Sequence, residues 1–433
     1  MALISQYARE INCLKDSQKS IRLPALQRLC AELPTRPAAE VQAFFSQHLK
    51  KVLLDLLSDP VDKCRELSAS LLTELVKTLP DLSTDAIDLV ESVARRLTTV
   101  HLTEAVEEIR LLEVKLVKET VRRWWEGLIP ALSDLGYVLA KAFQDPFPQV
   151  KHEAAELLEL ICRSTGLRVG LCASTICAGA LENLTHQHSK VRVITLHALG
   201  VLLEKTGNCD LLKTLFPILK QKLRYDRTTA VRSTLYEVLR DWLLTFSYES
   251  LTYEVDFEGK AMATRAETQL SYLLLSGLGD SEVQISSAIP QYFAQVGQRR
   301  LFLASEFQEE TETSDPAEFQ ALHVLKDLVM LSIADCTEWT VNEKSKTRGA
   351  VTLLALARMS GHFITPHLER ILKTAVKVYT ETEDPDQRQV YEELVGVLSQ
   401  TCSYDIVATV LMKSIAPDQS SVSQRATVFV HSM

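Results

Sequence analysis

The chain has 433 residues, of which 46% are hydrophobic and 24% charged, a balance that excludes an intrinsically disordered protein. Its net charge of −9 disfavours nucleic acid as the main ligand, because nucleic-acid-binding proteins usually carry a basic face. Glycine and proline number only 14 each and aromatic residues make up 6%, which favours helices joined by short turns.

The first predicted elements are pairs of helices that meet at an acidic corner. In "LKDSQKSIR", Asp16 is followed six residues later by Arg22. The stretch "SDPVDKCR" repeats this spacing with Asp59 and Arg65. We expect one helix of each pair to end before the aspartate and the next to begin near the arginine, because a helix N-terminus favours an acceptor and a negative charge.

The same pattern continues through the first half of the chain. A degenerate copy is centred on Ile109 and Arg110, and three further corners pair Asp145 with Lys151, His186 with Arg192, and Asp226 with Arg232. Corner positions 16, 59, 145, 186 and 226 are 43, 86, 41 and 40 residues apart, and the degenerate copy fills the long interval. A period of about 40–47 residues is typical of HEAT and armadillo repeats. The sequence therefore predicts an all-α fold, a HEAT/armadillo-like α-solenoid in which about ten helical hairpins stack into a superhelix.

The second half is predicted to contain less regular repeats. We place regular HEAT repeats at 1–245 and less regular ones at 246–433, with insertions near 246–260 and 307–319. The second insertion is acidic and expected to be mobile. Because the chain stops soon after a further corner at Asp418, we expect the last repeat to be incomplete, as in a truncated protein.

Three more corners are predicted in this half, and all corners are expected to form a ladder. They are Asp280 with a shortened turn, Asp384, and Asp335, which a lengthened turn joins to Lys346. The basic residue six positions after a corner should reach the acidic residue of a neighbouring repeat. Each exposed pair of this kind would contribute only about 0–1 kcal/mol.

The corner "THQHSKVRV" also allows a different interpretation, since His186 and His188 are one residue apart. With His152, Cys172, Cys177 and His197 nearby in sequence, it suggests a zinc site and a metal-dependent enzyme. Structural zinc sites usually combine two short ligand pairs, and only one imperfect pair is present here. We therefore favour a structural corner that needs no metal or cofactor, and packing roles for the two cysteines.

Three tryptophans are candidates for partner binding, because tryptophan is enriched at binding hot spots. They are Trp124, Trp125 and Trp339. The alternative, which we favour for Trp124 and Trp125, is that one packs into the stack and the other covers a junction between repeats. The sequence contains no nucleophile elbow, phosphate loop, dinucleotide fingerprint or kinase motif, so no catalytic residue is predicted.

Cysteine spacing and apolar runs bear on the cellular compartment. The nine cysteines are scattered and the chain opens without a basic-then-apolar leader, which favours reduced thiols in the cytosol or nucleus. No apolar run approaches the roughly 18 residues of a membrane helix. We expect neither nucleic acid nor a membrane among the binding partners.

Five stretches in a fixed order resemble one family of HEAT-repeat proteins. They are "LSDPVDKCR", "TEAVEEIRL", "DPFPQVK", "HQHSKVRV" and "DCTEWTVNEKSK", and their order and spacing match the HEAT-repeat dynein axonemal assembly factor family, also called HEAT repeat-containing protein 2. The resemblance runs from about Leu53 onward and is weaker before it and through both insertions. Family members are longer, and their proline-rich loop is replaced here by an acidic segment after Gln298.

The resemblance implies a non-catalytic, cytoplasmic factor for the preassembly of axonemal dynein arms, and hence for motile cilia or flagella. Its implied partners are axonemal dynein chains, other dynein assembly factors and chaperones. A HEAT-repeat adaptor of another class, a nuclear transport receptor or a phosphatase scaffold, is the alternative with the same fold. The sequence does not indicate the binding face, the direct partner or the oligomeric state.

Overall fold

A computed structural model describes residues 2–98, 104–255, 264–306, 313–337 and 343–414. The chain divides into two compact units, residues 1–211 and 212–433. In both units we call the helix before a corner helix A and the helix after it helix B.

The first unit consists of helices in two layers. Its described helices are α1 (Ala2–Leu14), α2 (Lys19–Glu32), α3 (Ala38–Phe44), α4 (Lys50–Leu56), α5 (Asp62–Thr78), α6 (Ala86–Thr98), α7 (Glu107–Trp124), α8 (Leu132–Gln144), α9 (Pro148–Thr165), α10 (Ala173–Ala180) and α11 (Ser189–Thr206). The helices B form one layer, in which α2 packs on α5, α5 on α7, α7 on α9 and α9 on α11. The helices A pack beside one another in the second layer, with α8 between α6 and α10.

An apolar stripe on each helix explains this packing. In α9 the buried residues include Val150, Ala154, Leu157, Leu158 and Ile161, at the spacing that places side chains on one face of a helix. A single hairpin cannot cover such a stripe, so neighbouring repeats bury it for each other.

The second unit has the same two layers with more irregular connections. Helix α12 (Cys209–Gln221) begins just before this unit, and the unit contains α13 (Thr229–Thr245), α14 (Tyr248–Thr252), β1 (Glu254–Val255), β2 (Thr264–Arg265), α15 (Ala266–Leu275), α16 (Val283–Glu306), α17 (Pro316–Thr337), α18 (Glu343–Ser360), α19 (Leu368–Glu381), α20 (Pro385–Thr401) and α21 (Tyr404–Ser414). Helices α15, α17, α19 and α21 pack in sequence as helices A, and α18 packs on α20 as helix B.

The predicted helical solenoid fold is confirmed, with one local exception. Strands β1 and β2 form a small antiparallel pair, in which Glu254 is opposite Arg265. This pair lies at the first predicted insertion. The first residue of that insertion, Phe246, is buried and stacks on Trp242 with ring centroids 6.0 Å apart.

The second predicted insertion is shorter than expected. Helix α17 begins at Pro316, so residues 316–319 are helical and not part of a mobile loop. Residues 307–312 of that insertion and the predicted Asp418 corner lie outside the described residues.

Candidate functional site

Each corner is a tight turn that starts helix B. The side chain of Asp59 accepts a hydrogen bond of 2.8 Å from the backbone N–H of Val61, two residues later. Asp16, Asp145 and Asp226 make the same contact at 2.8 Å with the N–H two positions on. The next residue begins the helix, so the acceptor satisfies an N–H that the helix itself leaves unpaired.

The basic residue six positions after the corner closes this turn and reaches the next repeat. Arg22 donates to the carbonyl oxygen of Asp16 at 2.7 Å, and to the carboxylate of Asp59 at 2.7 and 3.0 Å. Both side chains of the Arg22–Asp59 pair are buried, and hydrogen bonding to Asp59 raises the pKa of Arg22. The fork geometry of the guanidinium matches the carboxylate, so the contact fixes orientation as well as charge.

The same arrangement recurs twice more in the first unit. Arg65 contacts Glu104 at 2.6 and 2.8 Å, and Arg110 contacts Asp145 at 2.6 and 3.0 Å. We call these three arginine–carboxylate pairs the corner ladder. The pairs are largely buried, in contrast to the exposed pairs that the sequence led us to expect.

Glu104 is a corner that the sequence analysis missed. Its position, six residues before Arg110, is the signal that could have revealed it. Its fully buried carboxylate also pairs with Arg96, which in turn contacts Glu113 at 3.3 Å. Burial opposes ionisation of Glu104, but hydrogen bonds from Arg65 and from the backbone of Val106 bring its pKa below the ordinary value.

Among the described residues, Lys151 has an amide partner in the next repeat and no carboxylate partner there. It donates to the side-chain oxygen of Asn183 and to the carbonyl of Phe143, each at 2.7 Å. Burial lowers the pKa of Lys151. The Lys151 ammonium group stands where other corners have a guanidinium, and the neutral side chain of Asn183 stands where they have a carboxylate.

His186 and His188 occupy a corner of the same geometry. The Nδ1 atom of His186 accepts from the backbone N–H of His188 at 3.1 Å, as the aspartates do, and Arg192 donates to the carbonyl of His186 at 2.6 Å. Burial and the nearby charge of Lys151 lower the pKa of His186, in the direction that favours the neutral ring. Within the described ranges, no three His, Cys, Asp or Glu residues come together as a metal site would need.

Three other candidate metal ligands, two cysteines and a histidine, have different surroundings. Cys172 and Cys177 are buried, and burial raises the pKa of each thiol to about 11. His197 contacts Glu159 at 2.8 Å on the surface of the helix B layer.

In the second unit, two arginines share one corner carboxylate. Arg232 contacts Asp280 at 2.8 and 2.9 Å, and Arg348 contacts the same carboxylate at 3.1 Å. Arg348 also donates to the hydroxyl of Tyr236 at 2.8 Å. Burial raises the pKa of Asp280, but the hydrogen bonds and positive charges of the arginines outweigh it, so the net pKa is lowered.

Asp335 and Lys346 do not form a corner, and this prediction is wrong. Asp335 lies inside α17, which continues to Thr337, and its buried carboxylate accepts from Arg224 at 3.0 Å and from the Tyr272 hydroxyl. Arg348, two positions after Lys346, reaches the Asp280 corner.

Two other predicted turns differ from the structure. The Asp280 turn has ordinary length, because helix α16 begins three residues later at Val283 and the buried residue at the fifth position is Ile285. The last described corner is Thr382 and not Asp384, since Arg388 donates to the Thr382 carbonyl at 2.5 Å. Asp384 instead caps α20 by accepting from Asp386 at 3.0 Å.

Trp124 and Trp125 lie at the edge of the first unit opposite the corners. We call this the return edge, formed by the connections from each helix B to the next helix A at 33–37, 79–85, 125–131 and 166–171. Both tryptophans are half-buried, and the Arg123 guanidinium lies 5.1 Å from the Trp124 ring centroid. Arg123 also donates to the carbonyl of Val76 near the end of α5, at 3.2 Å. Partner binding by these tryptophans stays a prediction, and Trp339 lies outside the described residues.

Comparison with known proteins links this fold to one family. The profile of the family described as "Dynein axonemal assembly factor 5-like, TPR repeats" matches residues 13–252. The corner intervals of about 40 residues are longer than the 34 residues of a tetratricopeptide unit, so the repeats themselves have HEAT length.

Relatives with curated names agree with the family profile. The chain is 27% identical over 392 residues to Dynein axonemal assembly factor 5 of Xenopus laevis and 26% identical over 416 residues to that of Homo sapiens. These alignments cover 85% and 89% of this chain but 44% of each relative, so the chain spans less than half of their length.

A solved structure supports the fold alone. The TSC2 N-terminus aligns with a TM-score of 0.58 at 12% identity, covering 99% of both chains. In the part of the chain that the structure describes, no single helix has the length and apolar composition to span a membrane, and one sharply bent pair meets that test only jointly.

More than half of the chain matches the family profile, and we conclude that it belongs to the dynein axonemal assembly factor 5-like family.

Proposed function

We propose that this chain is a non-catalytic helical-repeat scaffold that acts in the cytoplasmic preassembly of axonemal dynein arms, and thereby in building motile cilia or flagella. The observation that carries the proposal is the family profile over residues 13–252, together with relatives named dynein axonemal assembly factors. Its partners would be axonemal dynein chains and the other assembly factors and chaperones that act on them.

The helix B layer of the first unit supports binding of an extended protein partner. Helices α5, α7, α9 and α11 lie side by side and present exposed charged side chains along a continuous face. An ion pair and a hydrogen bond connect neighbouring helices on this face, with Lys118 at 2.7 Å from Glu156 and His197 at 2.8 Å from Glu159. A long surface of this kind suits a large client, since stacked repeats create an extended surface for binding.

The corner ladder supports a scaffold role in a second way. Each arginine fork sets the position of one repeat relative to the next, and buried side chains reinforce it. We propose that the ladder keeps the helix B face in one geometry, so that a partner meets a preorganised surface.

The buried charges favour a structural role over chemistry. Glu104 is occupied by two arginines, Asp280 by two arginines, and Glu267 by Arg300 at 2.8 Å. Groups neutralised in this way hold the fold together, whereas a catalytic acid or base must be accessible to a substrate.

The test is affinity purification from a ciliated cell in which the tagged protein replaces the endogenous one. We expect axonemal dynein heavy and intermediate chains to be enriched from the cytoplasmic fraction, as measured by quantitative mass spectrometry. A helix B variant, Glu156→Lys with His197→Glu, should reduce this enrichment, because it reverses the charge at one position of the proposed face and adds a negative charge at another.

A control variant places two charge reversals on the other layer, Lys51→Glu and Lys141→Glu. Both lysines are exposed on helices A, so this variant should retain dynein enrichment. Enrichment of nuclear pore components or of a phosphatase catalytic subunit, without dynein chains, would overturn the proposal in favour of the alternative adaptor classes.

A further inference from the structure

The junction between α9 and α11 differs from the junctions that the corner ladder joins. At each rung of the ladder an arginine pairs with the acidic residue of the next corner, as Arg110 does with Asp145 at 2.6 and 3.0 Å. At this junction the arginine position holds Lys151 and the corner position holds His186. Two basic residues therefore occupy the positions of an oppositely charged pair.

His186 can replace a corner aspartate only while its ring is neutral. Its Nδ1 atom accepts the backbone N–H of His188 at 3.1 Å. A protonated imidazole carries a hydrogen on both nitrogens and accepts no hydrogen bond. Carboxylic acids ordinarily titrate at about pH 4 and histidine at about pH 6.5. Mild acid should therefore remove this hydrogen bond at the His186 corner and spare it at the aspartate corners.

Protonation of His186 would also bring two positive charges together across the junction. The Lys151 ammonium donates to the side-chain oxygen of Asn183 at 2.7 Å, and the backbone N–H of His186 donates to the carbonyl of Asn183 at 3.2 Å. Asn183 thus joins Lys151 to the corner. Burial and the charge of Lys151 lower the pKa of His186, as expected for a ring that faces a like charge.

The other charged groups around the His186 ring do not favour a proton there. Among the described residues, the side chains with the largest effect on its pKa are all basic, and they are Lys151 on α9 and His188 and Arg192 in the same corner. The centroids of the His186 and His188 rings are 5.3 Å apart, so a second protonated histidine would add to the repulsion. Two carboxylates, Asp145 and Glu182, act instead on Lys151, whose pKa burial lowers despite them.

We propose that the junction between α9 and α11 is an acid-sensitive joint, in which a proton on His186 breaks the hydrogen bond from His188 and loosens the start of α11 from α9. The proton enters from solvent, since His186 is only half-buried. Because α9 and α11 are neighbours in the helix B layer, the joint changes the spacing of two helices of that layer when it opens. The joint is a property of the repeat stack and does not depend on the proposed function.

The first test measures hydrogen exchange of the full chain at about pH 7.5 and about pH 5.5. Mass spectrometry gives protection factors for the peptide spanning residues 184–195, after correction for the intrinsic exchange rate at each pH. The closed corner binds the proton more weakly than an open one, so its stability is complete above about pH 6.5 and falls below it. Protection should drop by up to about tenfold at the lower pH. Peptides that span the Asp59 and Asp226 corners should change by less than about twofold.

His186→Asn is the decisive variant, because an asparagine oxygen accepts the same backbone hydrogen bond and does not titrate in this range. It should keep full protection at both pH values. Lys151→Gln removes the facing charge and should reduce the drop in protection without abolishing it. The matched control, His197→Gln, removes an exposed histidine of α11 outside the corner and should respond to acid as the unmodified chain does.

An NMR titration identifies the group that takes up the proton. With the histidines labelled with carbon-13 at Cε1, the signal that is missing from His186→Asn belongs to His186, and it should titrate below about pH 6.5. Both readouts are local because burial raises the pKa of Glu113 to about 7, so the same acidification stabilises the first unit at that site.

Either of two exchange results would overturn the proposal. In one, His186→Asn loses protection in acid as much as the unmodified chain does. In the other, the aspartate corners lose protection as much as the His186 corner does. A His186 signal that titrates at or above about pH 6.5 would also overturn it, since the closed corner would then not oppose the proton.

Discussion

Arg22 and Asp59 are 37 residues apart in the chain and are joined by two hydrogen bonds of 2.7 and 3.0 Å. The Arg22 guanidinium donates to the Asp16 carbonyl oxygen of its own corner and to the Asp59 carboxylate of the next corner. Repetition of this pairing at Arg65 and Arg110 turns a local turn motif into a contact between repeats.

Breaking both members of this pair should cost less than the sum of breaking each one alone. Arg22→Gln or Asp59→Asn alone leaves a buried charge without its partner, and we expect each to lower the free energy of unfolding by about 2–4 kcal/mol. The double variant should be less destabilised than the sum, with a coupling energy of about 1–3 kcal/mol. Urea denaturation followed by circular dichroism measures the free energy of unfolding of the unmodified chain, the two single variants and the double variant.

The control pair for this cycle is Lys63 and Glu66, 2.7 Å apart with side chains 50% and 41% exposed. Its coupling should be below about 1 kcal/mol, because solvent screens the charges. Strict additivity at Arg22 and Asp59 would show that the corner ladder does not couple repeats.

Glu113 should make the first unit less stable as pH rises towards neutrality. Its side chain is buried, and burial raises its pKa from about 4.5 to about 7, although Arg96 partly opposes this effect. The folded state then binds a proton that the unfolded state has already lost between these two values, so stability falls as pH rises through this window and is constant above it.

Replacement by glutamine tests this sign. Relative to the unmodified chain, Glu113→Gln should gain stability progressively from about pH 4.5 to 7, by at most about 3 kcal/mol. The charged groups that face it, Arg96, Glu104 and Arg65, are present in both proteins, so the difference isolates Glu113. A difference that does not change with pH would show that Glu113 titrates normally.

A larger residue at Gly179 should destabilise the chain, because helices α8 and α10 pack closely there. A Cβ atom at this position would lie 2.6 Å from both the Cα atom and the carbonyl oxygen of Ala140, and backbone atoms cannot rotate away. We expect Gly179→Ala to destabilise the chain by about 1–3 kcal/mol in thermal or urea unfolding.

Gly396 is the matched control, since it also lies within a helix but has nothing within 4 Å of an added Cβ atom. Gly396→Ala should stabilise by about 0.5–1 kcal/mol through helix propensity alone. Equal effects at Gly179 and Gly396 would contradict close packing of α8 on α10.

His186 should be replaceable by the aspartate that other corners use. Asp can accept the same backbone hydrogen bond, so His186→Asp should keep or slightly raise the melting temperature. Zinc should shift the melting temperature of neither protein. A zinc-dependent rise that His186→Asp abolishes would revive the metal-site interpretation.

The helix-turn-helix corners were predictable because their signal is local. The signal spans a single corner, as at Asp59 or Asp226. It consists of a hydrogen-bond acceptor, a buried residue five positions later and a basic residue six positions later. Glu104 follows the same offsets, with Ile109 five and Arg110 six positions later, but has glutamate in place of aspartate.

The irregular contacts of the second unit depend on packing between distant segments. Arg348 reaches Asp280 from 68 residues away, and Arg224 reaches Asp335 from 111 residues away. Nothing near Asp335 in the sequence indicates that a helix continues through it and buries its carboxylate against Arg224 and Tyr272. Such pairings follow from the placement of whole helices, which local spacing does not encode.

The most direct test of the account is the state of dynein arms in ciliated cells that lack this protein. Electron tomography of axonemes should show that outer and inner arms are missing or reduced. Expression of the unmodified natural protein should restore them. Intact arms in the null cells, with normal ciliary beating, would contradict the proposed role in dynein arm assembly.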